Sequence, residues 1–336
     1  ITALSTQQLG ALSSDQLRAL TSEQLRAFGT DQIGSLATDD LDAFSTAQLA
    51  SLTEAQITAL TSVQVASLSS ADVAALTPNQ VAAMETRDIA ALDSEDLRAM
   101  TSVQFAAIGT AQLRAIETAD IAAIGTDALA AITSSYLSAL STAQLAALSS
   151  DQLRALTTDQ LRSLTTAQVA SLDTGDLDAL QTAQLASLTT EQIAGLTSVQ
   201  VASLSSADVM ALTTEQMRAM ETRDIAALDS EDLRALSSLQ VAALSTAQLR
   251  AIETGDFGVI STDALTALSS TQMASFSTAQ LAALGSDQFR VLTSEQLMGM
   301  TTAQFASLGT DDLSALTSEQ FPMLTTAQIA ALTKIG

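Results

Sequence analysis

The 336-residue chain has no cysteine, no histidine and no tryptophan, one tyrosine and only two prolines. Without Cys or His it lacks thiolate and imidazole metal ligands, Cys nucleophiles and His general bases. Basic side chains are also scarce: 13 Lys and Arg stand against 37 Asp and Glu, a formal net charge of -24. That charge argues against binding to nucleic acid phosphate or to an anionic lipid surface. No apolar run approaches the ~20 residues of a membrane helix, which argues against membrane insertion, and no signal peptide opens the chain. No Gly-rich phosphate loop is present. Hydroxyls are abundant, but Lys334 is the only lysine and no His can serve as a base, so nothing activates a Ser or Thr nucleophile. The chain reads as a non-enzyme with no organic cofactor.

What is present is a repeat. From Ser5 the sequence falls into octads without insertion or deletion, STQQLGAL, SSDQLRAL, TSEQLRAF and onward, giving 41 complete copies. The consensus is [ST]-[ST]-x-[QD]-[LIVFM]-x-[AS]-[LIMF]. Position 4 is Gln or Asp everywhere except Ala128, Tyr136 and Ala264. Such regularity is the signature of a solenoid or fibre rather than a globule. Residues 1–336 therefore read as one continuous repeat array. A longer period of 136 residues lies on top: TSVQVASL at 61–68 returns at 197–204, and ETRDIAAL at 85–92 returns at 221–228. A third, partial copy starts at Ser277. The apolar content of 47% is too high for a disordered acidic tail.

Each octad carries a helix start. In STAQLAAL at 141–148, Ser141 and Gln144 have capping-box spacing, and Leu140 and Leu145 are placed as a hydrophobic staple. Pro78 falls at the first helical position, where proline is preferred. One long helix is excluded, because at ~3.6 residues per turn positions 5 and 8 would spiral around it. A β-solenoid would want alternating, β-branched positions. The pattern predicts an all-α solenoid, a superhelix of very short capped helices, one per 8-residue repeat. Each helix should span about positions 2–7, with a corner of one or two residues. Helices this short cannot persist alone, so stacking must hold them. Positions 5, 7 and 8 should point inward and positions 2, 3 and 6 outward. Ten of the arginines occupy position 6, three residues after a frequent acid, as in Asp15–Arg18 and Asp151–Arg154. Pro322, also at position 6, removes an interior helix bond and should distort its octad.

Acidic clusters are the most site-like features. Asp39, Asp40 and Asp42 are echoed by Asp173, Asp176 and Asp178 and by Asp311 and Asp312. Glu85, Asp88, Asp93, Glu95 and Asp96 are echoed by Glu221, Asp224, Asp229, Glu231 and Asp232. Carboxylates on adjacent turns suit Ca²⁺, an oxygen-seeking ion; the plainer reading is helix capping and solubility. The Ser/Thr ladder likewise reads first as capping. Position 2 stays freer, and a hydroxyl array there could engage ice or a glycan. Tyr136 reads as a tolerated surface substitution.

LTPNQVAAM at 76–84 looks like the first helix of a transcription-activator-like effector repeat. The likeness stops after nine residues, and the charge has the wrong sign for DNA. The whole-chain pattern resembles the short tandem [ST]TAQ[LIV]AAL-type octapeptide repeats of large bacterial secreted or surface proteins. That resemblance implies an extracellular, structural role. The chain starts and stops inside an octad, which suggests an excerpt of a longer array or ends covered by neighbours. The leading expectation is a structural repeat protein that joins end to end into a solenoid or filament, its partner being itself. The alternative is a binding solenoid or adhesin spacer that engages a protein, a glycan or ice.

Overall fold

The computed structural model describes residues 3–332; Lys334 lies outside them. Almost every octad forms one helix of four to six residues, and among the described residues there is no strand. Pro78–Ala83 shows the full pattern. Thr77 is the N-cap, its hydroxyl accepting the Gln80 amide while Gln80 Oε1 accepts the Thr77 amide. Met84 then leaves the helix in an extended conformation, φ -62° and ψ 141°. The next octad's cap, Glu85, is extended too. Positions 8 and 1 thus make the corner, and the helix fills positions 2–7 as the capping pattern predicts. No residue has positive φ and no peptide is cis among the described residues, so the corners need neither glycine nor proline.

The chain forms two compact units, Ile1–Leu172 and Asp173–Gly336. Within each, a helix packs on the helix three octads away. Glu54–Thr58 packs on Pro78–Ala83, and Pro78–Ala83 on Ser102–Ala107; in the second unit Ser206–Ala211 packs on Ser230–Ala235. The cores are single columns of side chains from positions 5 and 8, such as Val81 and Met84, or Phe105 and Ile108. In the second unit Phe257 and Phe276 meet edge to face, ring centroids 4.7 Å apart. Burying one Leu or Ile is worth ~1.5–3 kcal/mol, so each octad adds its own increment and none depends on a distant centre.

Two expectations change, and position 4, for which none was made, turns inward. Position 7 is mostly half-buried; Ala43, Ala179 and Ala243 are among the few fully buried examples. Position 4 is buried instead, Gln56, Gln80 and Gln216 each being 2% exposed. Asp15 and Arg18 do not pair. Arg18 donates Nε to the Ala43 carbonyl at 3.0 Å, and Arg26 does the same to Ser51 at 2.7 Å. The predicted i,i+3 pair does form at Arg154–Asp151, 3.7 Å. The Pro322 octad is distorted as predicted, with a 3₁₀ turn at Phe321–Met323. A second 3₁₀ segment, Thr118–Ala123, was not foreseeable from an octad of ordinary type; its N-cap Glu117 supplies no side-chain cap.

Candidate functional site

The feature that organises both units is the position-4 side chain. Its Oε1 caps its own helix, and its Nε2 points away along the stack. Gln56 donates Nε2 to the carbonyls of Leu25 at 2.8 Å and Phe28 at 2.9 Å. Gln104 reaches Val73 and Leu76, both at 2.8 Å. In the second unit Gln248 reaches Met217 and Met220, both at 2.8 Å. The acceptors lie 31 and 28 residues earlier, at positions 5 and 8 of the octad four back. The position-8 carbonyl lies past the helix end, where the helix offers it no donor, while the position-5 carbonyl also accepts the position-8 amide, as Leu25 does from Phe28 at 3.1 Å. One side chain therefore caps the start of its own helix and the end of another. Helix packing at three octads and amide bonding at four place one turn of the superhelix between three and four octads.

Asp at position 4 does only half of this. Asp88 Oδ2 accepts the Glu85 amide at 3.1 Å, and Asp224 Oδ2 that of Glu221 at 3.1 Å. The other oxygen, when ionised, has no proton to offer a carbonyl; at Asp88 it has no hydrogen-bond partner, and at four other position-4 aspartates it accepts a hydrogen bond from a hydroxyl 26 residues earlier. Thr182 donates to Asp208 Oδ1 at 3.1 Å and Ser198 to Asp224 Oδ1 at 3.2 Å. Ser94 donates to Asp120, and Ser230 to Asp256. The sequence carries the same rule: nine of the eleven position-4 aspartates have Ser, not Thr, 26 residues earlier. Only four of the 24 position-4 glutamines with a residue at that spacing do so. This covariation was legible before the fold was known, but it becomes meaningful only once the spacing of the turns is known. It also means that position-2 hydroxyls are not a uniformly free array.

The calcium candidates separate by role. Asp40 Oδ2 accepts the Ala37 amide at 3.3 Å. Asp176 Oδ2 accepts the Asp173 amide at 3.1 Å, while Asp173 Oδ1 accepts that of Asp176 at 2.8 Å. Asp39 is an exposed first-turn acid. Asp42 and Asp178 sit at position 6 of their octads. The structure does not gather these six residues. Among the described residues no three carboxylates come close enough to hold a metal ion. The echoed acids Glu85 and Glu221 meet arginines: Arg87–Glu85 is 3.1 Å and Arg223–Glu221 3.0 Å. Burial pushes the carboxyls of Asp88, Asp96, Asp176, Asp224 and Asp232 above their ordinary range. Tyr136 takes position 4 without a capping box. Surface depressions, such as the one bordered by Arg26, Thr53, Glu54 and Asn79, are open to solvent. No described helix is long and apolar enough to cross a membrane.

Tandem octads of capped helices, wound into a superhelix and stitched by a position-4 amide, define a helical repeat protein. The family model of the ALTTAQ repeat matches residues 1–38, 33–70, 89–116, 113–150, 129–166, 138–174, 169–206, 225–251, 249–286, 273–302 and 299–334. The chain belongs to the ALTTAQ repeat family. No curated protein matches it.

Proposed function

We propose that this chain is a structural repeat protein, not an enzyme, that assembles with copies of itself end to end into filaments outside the cell. The observation that carries the reading is the direction of the amide bonds. An interior turn with glutamine at position 4 presents Nε2 donors on one side and helix-end carbonyls on the other, as Gln80 does toward Leu49 and Leu52; the octads at 117–140, with Asp120, Ala128 and Tyr136, lack the donors. A turn that ends a stack leaves one of these sets open. Gln8, Gln16 and Gln24, which have no described octad four back, illustrate the open donor set: they are exposed and cap their own helices. A stack end of donors and a stack end of acceptors are complementary, and a heterologous contact that does not close yields a filament. Net negative charge limits sideways clumping. The resemblance to the octapeptide repeats of bacterial secreted and surface proteins supports the extracellular assignment, with which the acidic, cysteine-free composition is compatible.

Electron microscopy of the purified chain, with and without Ca²⁺, tests this. Filaments many molecules long are expected, with or without the ion. Discrete short particles at every concentration would overturn end-to-end assembly and turn attention to protein, glycan and ice binding.

A further inference from the structure

The octads at 85–92 and 221–228 replace the stitching amide with a buried carboxyl. Asp88 and Asp224 are both 0% exposed. Each spends Oδ2 on its own cap. Asp88 Oδ1 has no hydrogen-bond partner at all; Arg87 Nε lies 3.5 Å away. By the register of Gln80 and Gln104, the carbonyls opposite Asp88 are those of Ile57 and Leu60, and opposite Asp224 those of Ile193 and Leu196. A glutamine there would donate to them. An ionised aspartate cannot, and faces oxygen with oxygen.

The geometry points to Asp88 and Asp224 as proton-switched joints between turns. With the carboxyl ionised, the inter-turn link is the hydroxyl 26 residues back, seen as Ser198 on Asp224 and available at the equivalent Ser62 for Asp88. When Oδ1 takes a proton from solvent it becomes a donor. It then turns to the carbonyl 28 residues back, as the glutamine amide does. The aspartate side chain is one carbon shorter than glutamine, so this bond draws the two turns together. The joint is tight in acid and slack at neutral pH.

The surroundings allow it. On its own octad Asp88 meets Glu85 and Arg87, and Asp224 meets Glu221 and Arg223. The helix packed on one side, Ser62–Val65 or Ser198–Val201, carries no charge; the other, Thr110–Ala115 or Thr246–Ala251, carries only Arg114 or Arg250. Burial favours the neutral carboxyl over the charged one in both places.

The test is amide hydrogen exchange of the full chain at pH 4.5 and pH 7, corrected for intrinsic rate, in wild type and in the double variant Asp88→Asn with Asp224→Asn. Residues 85–92 and 221–228 should gain roughly tenfold protection in acid, the factor that the net worth of one hydrogen bond makes in an opening equilibrium. The all-glutamine octad at 101–108 should gain far less. In the double variant the protection should match the acid value at both pH values. A second double variant, Asp88→Gln with Asp224→Gln, restores the consensus and should also be insensitive to pH. An equal acid gain in the variants, or no gain in wild type, overturns the proposal.

Discussion

The amide nitrogen of Gln56 lies 2.9 Å from the carbonyl oxygen of Phe28, 28 residues earlier in the chain. That bond repeats from octad to octad, so removing its donor at one interior site has a defined cost. Gln104→Glu keeps the local cap and loses the proton donated to Val73 and Leu76. The Leu76 carbonyl is left unpaired, while that of Val73 keeps the Leu76 amide at 3.2 Å; one buried unpaired acceptor costs ~1–3 kcal/mol. The check is the denaturant midpoint. Gln16→Glu, at an exposed side chain with only a local cap, should change it by less than ~0.5 kcal/mol.

Ser198→Ala should alter pH dependence rather than acid stability. The Ser198 hydroxyl favours the ionised form of Asp224, while burial disfavours it more strongly. A carboxyl whose folded pKa is raised contributes stability that is fully present below its ordinary value of 3.8 and is lost as pH rises through the folded value. Removing the hydroxyl raises the folded value further. The variant should therefore match wild type near pH 3.5 and be less stable at pH 7, read by denaturation at both.

Gly258 comes against the carbonyl of Ala283. An added Cβ would sit 2.6 Å from that backbone oxygen. Gly258→Ala should cost ~1–3 kcal/mol by overpacking, whereas Gly255→Ala, with nothing within 4 Å, should be neutral. Thermal melts of the two variants separate these outcomes.

Val63, Val199 and Leu239 stand at position 3, each about 70% exposed. Replacing them with Ser should leave stability within ~0.5 kcal/mol. A larger loss in the denaturant midpoint would mean that position 3 is covered in the assembled protein.

Chelating Ca²⁺ should leave the helical circular dichroism unchanged, since no described triad of carboxylates is gathered. Loss of helix on chelation would revive the reading of Asp39, Asp40 and Asp42 as ligands.

The local part of the fold was legible because it is written within eight residues. Ser141 and Gln144 form the capping box their spacing predicts, and Leu145 and Leu148 fill the core. Pro322 breaks its octad for the reason proline breaks any helix interior. The second use of glutamine was not legible. Its acceptors lie 28 to 31 residues away, and no octad states how many others complete a turn. For the same reason Arg18 read as a partner of Asp15, its neighbour on the helix surface, when the Ala43 carbonyl 25 residues on was within reach. The serine that accompanies position-4 aspartate was visible as a pattern but lacked a distance to explain it.

The corners hold no positive φ and no cis peptide among the described residues, and this bears on how the array tolerates editing. Each octad uses the same ordinary backbone, so cutting out or duplicating eight residues hands the glutamines whose 28- and 31-residue bonds span the edit a new but equivalent pair of carbonyls and leaves all others as they were. Only the aspartate–serine pairs would be mismatched. Changes in multiples of eight residues are thus structurally quiet, while inserting one residue puts Gln144 where Leu145 now sits. The length of such a chain is free to drift in whole steps, like a staircase built from a single tread.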